Sequence, residues 1–354
     1  MRSIKQIKNL KGKTVLLRVD FNVPIKNGKV EDDFRIRASL PTIKFLLEKG
    51  ARIILITHLD KDGTASLAPV IKNFFSISKI SKEKIMFFEN IRKFPGEIKN
   101  DQVFAKKLGA MGDIYVNDAF SVCHREHASI VSLPKYLPSY AGFQLEEEVK
   151  NLSHAFNKIK RPFLFILGGA KFSTKMPLIK KYLKLADNVF IGGALADDFL
   201  KVEGYEIGKS LVDGVNYDIK KIIKDKKLIL PSDVVVHSGN KLIAKKVNQI
   251  GRNEIIFDMG EESVKNLASL IKKSKLILWN GPLGKYEDGG AKATKKILKL
   301  IASSKAESII GGGDTVAIIS KMKMEKEFSF VSTGGGATLD FLANGTLPGI
   351  KALK

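Results

Sequence analysis

The chain has 354 residues, of which 44% are hydrophobic and 8% aromatic. This composition is ordinary for a globular protein and argues against a disordered chain, and the length favours two domains. The longest apolar runs have the length of strands, so no membrane segment is expected, and the first residues lack the apolar core of a signal peptide. Because Cys123 is the single cysteine, no internal disulfide can form, which predicts a reducing, cytoplasmic location.

The charge balance is strongly basic, with 60 Lys and Arg against 37 Asp and Glu and a net charge of +23. Three interpretations are open: a lysine-rich surface without functional meaning, electrostatic attraction of small anionic substrates, or binding of nucleic acid. The lysines lie on predicted helix faces and do not alternate with aromatic residues, as a single-strand-binding groove requires. We therefore expect no nucleic-acid partner.

Short apolar runs alternate with amphipathic stretches along almost the whole chain. Strands are predicted at 15–17, 53–56, 85–88 and 114–116, and in a second series at 163–167, 189–191, 234–236, 276–279 and 309–310. Helices are predicted at 37–49, 101–110, 173–185, 260–272 and 291–303. Continuous apolar strands that alternate with helices are typical of parallel sheets covered on both faces. The predicted fold class is therefore α/β, with two doubly wound parallel-sheet (Rossmann-like) domains.

The stretch 142–161 interrupts this alternation. Residues from Glu146 to Phe156 have helical periodicity, but no strand lies between them and Arg161-Pro162. We interpret 145–161 as a connecting helix between an N-terminal domain at 1–150 and a C-terminal domain at 162–330.

In the first half, polar residues follow the predicted strands, where open parallel sheets bind ligands. They are Asp20 and Asn22, then His58, then Asn90 and Arg92, and finally Asn117, Asp118, His124 and Arg125, with Arg35 just before the helix at 37–49. Several cations at one sheet edge suit a substrate that carries phosphate and carboxylate, because Arg binds both groups with two hydrogen bonds.

In the second half, glycine-rich turns follow the predicted strands at Gly168-Gly169, Gly311 to Gly313 and Gly334 to Gly336. A strand, a glycine-rich turn and a helix together aim backbone N–H groups at an anion. Lys171 and Lys175, four residues apart, share one helix face and could flank a polyphosphate. Asp314 is an oxygen ligand suited to Mg²⁺, and Glu287 could accept hydrogen bonds from a ribose.

Other nucleotide motifs are absent from the sequence. The chain has no Walker A motif, no G-x-G-x-x-G after the first strand and no Asp-Phe-Gly, which weakens the P-loop, dinucleotide and protein-kinase interpretations. His124 and His127 have no further ligands at the spacing of a zinc site.

The motifs taken together, in their order along the chain, resemble the phosphoglycerate kinase family over essentially the full length. They are 18–24 (RVDFNVP), Arg35-Ile36 with 40–43 (LPTI), 89–92 (ENIR), 117–120 (NDAF) with His124-Arg125, 168–171 (GGAK), 279–282 (WNGP), 311–315 (GGGDT) and 332–337 (STGGGA).

The resemblance implies a glycolytic transferase, a kinase that moves a phosphoryl group reversibly between 1,3-bisphosphoglycerate and MgADP, giving 3-phosphoglycerate and MgATP. It implies that phosphoglycerate is bound by Asp20, Phe21, Asn22, Arg35, His58, Lys61, Arg92 and Arg125. It implies that the nucleotide is bound by Gly169, Lys171, Lys175, Gly193, Asn280, Glu287, Gly312, Gly313, Asp314 and Thr315. Arg35, Lys171 and the helix that starts near Gly335 would stabilise the transferring group, and Asp314 would bind Mg²⁺.

The family further implies a monomer, a hinge near the connecting helix, and a C-terminal segment, about 335–354, that returns to the N-terminal domain. This sequence departs from the family at 58–62 (HLDKD), where the family usually has His-Leu-Gly-Arg-Pro, so that Lys61 replaces an arginine. Ala194 and 121–123 (SVC) are further departures, and the chain is shorter than typical members. The alternatives are a catalytically impaired relative that binds nucleotide and, from the charge, a nucleic-acid-binding protein.

Overall fold

The computed structural model describes residues 1–213 and 219–353, which divide into two compact units. One comprises Met1–Lys150 and Asn344–Lys354, and the other comprises Asn151–Ala343. Residues 214–218, in the predicted domain 162–330, and Lys354, at the end of the predicted segment 335–354, lie outside the described residues.

The first unit is built on a five-stranded parallel sheet. The strands of this unit are β1 (Thr14–Arg18), β2 (Ile25–Lys26), β3 (Lys29–Val30), β4 (Arg52–Ile56), β5 (Ile85–Phe87), β6 (Ile114–Asn117) and β7 (Ser139–Ala141). The sheet order is β5-β4-β1-β6-β7, while β2 and β3 form a separate hairpin. The chain therefore runs outward from β1 to β5 and then returns to the other side of β1. This reversal leaves a crevice at the carboxyl ends of β1 and β6, the usual ligand position in such sheets.

Helices cover this sheet because its strands are apolar on both faces. They are α1 (Phe34–Glu48), α2 (Ala68–Ser78), α3 (Pro95–Ile98), α4 (Gln102–Gly109) and α5 (Phe143–Asn157). Val15 and Leu17 of β1 are fully buried, as are Ile43 and Leu46 of α1. Burial of such side chains stabilises each by about 1.5–3 kcal/mol. The helix predicted from Glu146 to Phe156 is α5, and the boundary between the units falls within it.

The second unit contains a six-stranded parallel sheet and a smaller antiparallel one. Its strands are β8 (Phe163–Leu167), β9 (Asn188–Ile191), β10 (Leu228–Ile229), β11 (Asp233–Ser238), β12 (Lys241–Lys246), β13 (Ile255–Met259), β14 (Leu276–Asn280), β15 (Glu307–Gly311) and β16 (Phe330–Val331). The parallel order is β10-β9-β8-β14-β15-β16. The strand order reverses between β8 and β14, both of which are buried along their whole length. The predicted pair of doubly wound α/β domains is confirmed.

The helices of this unit are α6 (Phe172–Leu185), α7 (Ala194–Val202), α8 (Ile219–Ile222), α9 (Glu261–Lys273), α10 (Lys292–Ala302), α11 (Gly313–Met322) and α12 (Gly336–Asn344). After Asn344 the chain belongs to the first unit, where α13 (Pro348–Lys351) follows. The Gly349 N–H there donates to the Cys123 carbonyl at 2.8 Å. The shorter segments are 3-10 turns at Ile4–Gln6, Lys82–Lys84, Ile91–Lys93, Phe120–Val122, Leu133–Lys135, Val247–Gln249, Tyr286–Asp288 and Glu325–Glu327, and a π-helical turn at Ala128–Ser132.

One strand does not have the predicted partners. The run 234–236 was expected in a parallel sheet, but β11 is the centre of an antiparallel sheet with the order β12-β11-β13. The physical reason is the link that follows it: Gly239, at φ +59°, and Asn240 turn the chain directly back, and no crossover helix intervenes. Parallel strands need such a crossover, whereas a Gly-Asn pair favours a hairpin.

Candidate active site

In the first unit, a polar cluster is centred on Asp20, which follows β1. Arg35, in the first turn of α1, places Nη1 2.9 Å from Asp20 Oδ2 and 3.0 Å from the Asn22 carbonyl. The Asn22 N–H donates to Asp20 Oδ1 at 2.9 Å, and the Ser121 hydroxyl donates to Asp20 Oδ2. His58 Nδ1 lies 3.8 Å from Asp20 Oδ1. The carboxylate therefore orients Arg35 while the rest of the guanidinium remains available to an anion.

The charge states of this cluster follow from burial and neighbours. Burial alone would raise the pKa of Asp20, but Arg35, His58 and the hydrogen bonds from Ser121 and Asn22 lower the pKa to about 2. Burial lowers the pKa of His58 to about 3. The negative charge of Asp20 opposes this shift, whereas the positive charges of Arg18, Arg92 and Arg35 add to it. At neutral pH Asp20 is therefore an anion and His58 is neutral. A neutral imidazole can donate to or accept from an uncharged hydroxyl.

The buried His58 predicts an acid sensitivity of folding. Its folded pKa of about 3 lies below the ordinary 6.5. The unfolded chain therefore binds the extra proton as the pH falls between those values, and stability decreases in that window. From about pH 7.5 to about pH 4.5 this group should cost about 3 kcal/mol. Burial also lowers the pKa of His127, to about 4, so that His127 adds its own loss of stability in this window. Urea unfolding at both values should therefore show a loss about 3 kcal/mol smaller in His58→Asn than in the wild type. A His237→Asn control should keep the full loss of the wild type, and an equally full loss in His58→Asn would contradict the prediction.

The loop after His58 is organised by Asn90, which is fully buried. Its Nδ2 donates to the carbonyls of Leu59 at 2.9 Å and Ala65 at 3.0 Å. Asp60, which follows Leu59 in this loop, contacts two predicted site residues through its backbone. Its N–H donates to Asn22 Oδ1 at 3.0 Å, and its carbonyl accepts from Arg92. Asp60 departs from the family pattern, but its backbone still hydrogen-bonds to Asn22 and Arg92.

The remaining predicted residues of this unit differ in environment. Lys61 and Arg125 are exposed, and Phe21 lies in the core, with its N–H donating to Thr57 Oγ1 at 2.9 Å. Lys61 makes no ion pair within residues 1–213 and 219–353. Burial lowers the pKa of Arg92, and the neighbouring Arg18 and, to a smaller extent, Arg125 lower it further.

Arg18 was not among the predicted site residues. It is 1% exposed at the end of β1, with Nη2 3.3 Å from His58 Nδ1 and Nε donating to Ser129 Oγ at 3.1 Å. Ser129 in turn donates to the buried Glu97 at 2.6 Å. A lone arginine at the end of the apolar run 15–17 was the available signal. With Arg35, Arg92 and Arg125, it gives this sheet edge a positive charge that suits an anionic ligand.

In the second unit, glycines permit the turns after β8 and β14 to touch. Gly168 N–H donates to the Asn280 carbonyl at 2.9 Å, and Gly169 N–H donates to the Pro282 carbonyl at 2.7 Å. Gly281 has φ +91°, and a side chain there would collide with the backbone of Gly168. The strand-order reversal of this sheet is therefore lined by backbone, with room for close approach by a ligand.

The two predicted lysines lie at the start of α6. Lys171 is exposed and occupies the left-handed region at φ +54°. Lys175 is 7% exposed and donates to the Gly168 carbonyl. Burial lowers the pKa of Lys175 to about 8; nearby Asp314 opposes this effect, and Lys171 adds to it. Two cations and one carboxylate thus lie together at this point.

The turn after β15 carries the remaining nucleotide candidates. Gly312, at φ +94°, precedes α11 and provides no side-chain cap, so the first N–H groups of this helix have no side-chain capping partner. Asp314 is exposed in the first helical turn, whereas Thr315 is fully buried. Thr315 Oγ1 and Asn280 Nδ2 are buried without a hydrogen-bond partner in the described part of the chain. Orphaned polar atoms beside a helix N-terminus fit a phosphorylated ligand.

A cavity of about 630 Å³ opens beside these turns. Its wall includes Gly169, Gly193, Glu287 and Asp314 from the predicted nucleotide set, together with apolar residues of α7, β11 and β13. The other members of that set lie outside its wall, on the neighbouring turns and at the adjoining ends of α6, β14 and α11: Lys171, Lys175, Asn280, Gly312, Gly313 and Thr315. Gly335, at φ +54°, lies just before α12 in the same unit. The volume falls in the range of sites for nucleotide-sized molecules.

The acidic side chains near the lysines offer few ligands for Mg²⁺. Within 1–213 and 219–353, no group of three or more His, Cys, Asp or Glu residues could hold a metal ion. Mg²⁺ that arrives with a nucleotide keeps waters and phosphate oxygens and needs only one or two carboxylates. The exposed Asp314, near Lys171 and Lys175, fits that minimal role. Separately, no helix in the described segments is long and apolar enough to cross a membrane.

Comparison with known proteins identifies the family. A family model described as phosphoglycerate kinase matches residues 4–79 and 75–345. A phosphoglycerate kinase from Borreliella burgdorferi (strain ZS7) is 39% identical over 390 aligned positions, covering 100% of this chain and 99% of its own length. A phosphoglycerate kinase from Coprothermobacter proteolyticus is also 39% identical, covering 100% of this chain and 98% of its own.

Solved structures agree with this assignment. The structure of phosphoglycerate kinase from Coxiella burnetii is 36% identical, with a TM-score of 0.85, and covers 99% of this chain and 98% of its own. That from Pyrococcus horikoshii is 28% identical, with a TM-score of 0.87, covering 100% and 98%. The chain therefore belongs to the phosphoglycerate kinase family.

Proposed function

We propose that this chain catalyses reversible phosphoryl transfer from 1,3-bisphosphoglycerate to MgADP, giving 3-phosphoglycerate and MgATP. The observation that carries the proposal is the presence of two anion sites of different character. An arginine-rich edge lies in one unit, and a glycine-lined, lysine-bearing edge beside a cavity lies in the other. Each lies where the strand order of a parallel sheet reverses, the usual position for a ligand in such folds.

Phosphoglycerate is assigned to the first unit. Arg35, Arg92 and Arg125 would bind its phosphate and carboxylate, and Asp20, His58 and Asn22 offer the hydrogen-bonding groups suited to its hydroxyl. Phe21 would contribute through its backbone position, and Lys61 through charge alone. The nucleotide is assigned to the second unit, with phosphates at Lys171, Lys175 and the start of α11.

The reaction requires little proton transfer by side chains of the protein. In the ATP-forming direction, a terminal oxygen of ADP attacks the acyl phosphorus, the bond from phosphorus to the carboxyl oxygen breaks, and a carboxylate leaves. Both nucleophile and leaving group are already anionic, so catalysis depends on positioning and on neutralising charge. Arg35, Lys171 and the N–H groups near Gly335 are proposed to do this. Mg²⁺, held by Asp314 and the phosphates, would neutralise charge on the nucleotide.

The function is tested by a coupled assay with 3-phosphoglycerate, ATP and Mg²⁺. Turnover that requires Mg²⁺ and falls sharply in Asp314→Ala would support the proposal. Nucleotide binding without turnover would instead indicate the impaired relative, with the sequence 58–62 as its cause. A salt-sensitive complex with nucleic acid and no turnover would favour the interpretation as a nucleic-acid-binding protein.

We further propose a cytoplasmic monomer with a hinge near α5; light scattering would test the monomeric state.

Lys61 provides a prediction on substrate affinity. An arginine binds phosphate through a planar fork of donors, whereas lysine offers a point charge. One added charge-assisted hydrogen bond stabilises a complex by about 1–3 kcal/mol, so Lys61→Arg should lower the KM for 3-phosphoglycerate by about fivefold or more. Steady-state kinetics would measure this, with Lys93→Arg as the control because Lys93 pairs with Glu89 at 3.0 Å. An unchanged KM would show that Lys61 does not contact the substrate.

A further inference from the structure

The wall of the cavity in the second unit holds a carboxyl group for which the mechanism above has no use. The wall is largely apolar where Leu200, Val234, Ile256 and Met259 contribute to it. Three polar side chains that line this cavity are buried: Asp197, Ser210 and Asp258. A buried polar group that lacks a partner is costly, so each should have one.

Two of the three are fully engaged by the protein. Asp258 Oδ1 accepts from the Met259 N–H at 2.9 Å, and its Oδ2 accepts from the Ala293 N–H at 3.0 Å. Ser210 Oγ donates to the Ile207 carbonyl at 2.6 Å and accepts from the Ile256 N–H at 2.8 Å. These residues hold the walls together and have little capacity left for a ligand.

Asp197 differs from both. It is 3% exposed, and within the described residues its carboxyl group makes no hydrogen bond. Burial raises the pKa of Asp197 well above its ordinary value, and the neighbouring Asp198 raises it further. A buried, cavity-lining carboxyl group without a partner in the protein leaves a ligand in the cavity as the group that its oxygens can bind.

The apolar residues that line the cavity with Asp197 indicate which part of a nucleotide it would meet. Gly169 and Asp314 line the cavity on the side of the lysines assigned to the phosphates. Asp197 lies one turn into α7 and shares the wall with Leu200, three residues further along the same helix. A flat, largely apolar base suits an apolar wall that carries a few polar groups.

We propose that the Asp197 carboxyl recognises the nucleobase by accepting a hydrogen bond from the 6-amino group of adenine. This inference rests on the proposed function, because it assumes that a nucleotide fills the cavity. It makes Asp197 a specificity-determining residue. A site built to pair with a substrate N–H rejects analogues that lack it, since the buried group is then left unpaired.

The test compares ADP with purine riboside 5′-diphosphate, which lacks the 6-amino group, by calorimetric titration. Asp197→Leu should weaken ADP binding about tenfold or more while weakening the analogue no more than about threefold. Asp197→Asn, which keeps a carbonyl oxygen as acceptor, should stay within about threefold of the wild type for ADP. Asp198→Asn is the matched control, because Asp198 Oδ1 already accepts from the Asp213 N–H at 3.2 Å.

An equal loss for both ligands in Asp197→Leu, or no loss for either, would overturn the proposal. If that variant does not fold, as judged by circular dichroism, the wild type decides: equal affinity for ADP and the analogue excludes base reading. Turnover with ATP and 3-phosphoglycerate is measured in parallel. An active kinase without base preference would refute only the role of Asp197, whereas an inactive wild type would refute the proposed function.

Discussion

Replacing Arg35 by alanine is expected to lower kcat by about 10²–10³ while changing the affinity for 3-phosphoglycerate less than about tenfold. The guanidinium is held by Asp20 at 2.9 Å and by the Asn22 carbonyl at 3.0 Å, which fixes it before substrate arrives. A donor fixed in this way stabilises charge that develops in the transition state without reorganisation. Asp20 retains the hydrogen bonds from Ser121 and Asn22 in the variant, so the local fold should persist.

Steady-state kinetics in both directions and calorimetric titration of 3-phosphoglycerate would separate the two effects. Arg37→Ala is the matched control, since Arg37 lies on the same helix and its guanidinium pairs with Asp33 at 2.7 and 2.8 Å. A rise in KM with unchanged kcat would show that Arg35 binds substrate and transition state equally, and its catalytic role would be wrong.

Lys171→Met should produce the second large effect, a fall in kcat of about 10²–10³ with a smaller change in ADP affinity. Lys171 is exposed at the start of α6 and lies near the buried Lys175, which is proposed to bind the phosphates and is unchanged in this variant. Because Lys171 is exposed, we expect its ammonium to contact the transferring phosphoryl group, whereas Lys175 donates to the Gly168 carbonyl.

Lys180→Met provides the comparison, because Lys180 is exposed further along the same helix. Rapid-quench measurement of a single turnover would report the chemical step separately from product release. If Lys171→Met and Lys180→Met lower the rate of the chemical step by the same factor, Lys171 acts only through the general positive charge of the surface. The steering interpretation of the +23 net charge would then gain support.

The sequence predicted the parallel sheets well, because their strands are continuous apolar runs with glycine-rich or polar ends. The strands at 163–167 and 276–279 correspond to β8 and β14, each buried along its length. The antiparallel sheet around β11 was missed, since Val234 to Val236 resembles any buried strand and only the Gly239-Asn240 pair marks the hairpin. The short edge strands β7, β10 and β16 depend on neighbouring strands more than on their own residues.

The site was predictable in outline and not in its supporting contacts. Polar residues after strands and glycine-rich turns after strands are visible in the sequence. The hydrogen bond from Ser121 to Asp20 joins residues 101 positions apart, and no local pattern predicts it. Asp197 lies in an ordinary amphipathic helix, and its burial beside a cavity depends on β11 and β13 packing across it. The roles of the individual site residues stay predictions until the variants above are measured.

The most direct test of phosphoryl transfer follows the phosphorus itself. The purified protein would be incubated with ATP labelled at the γ-phosphate, 3-phosphoglycerate and Mg²⁺, and the acyl phosphate formed would be trapped with hydroxylamine. We predict that the label leaves ATP only when 3-phosphoglycerate is present and that the amount of hydroxamate formed equals the amount of label lost from ATP. Label released as inorganic phosphate without hydroxamate, or retained on ATP, would contradict it.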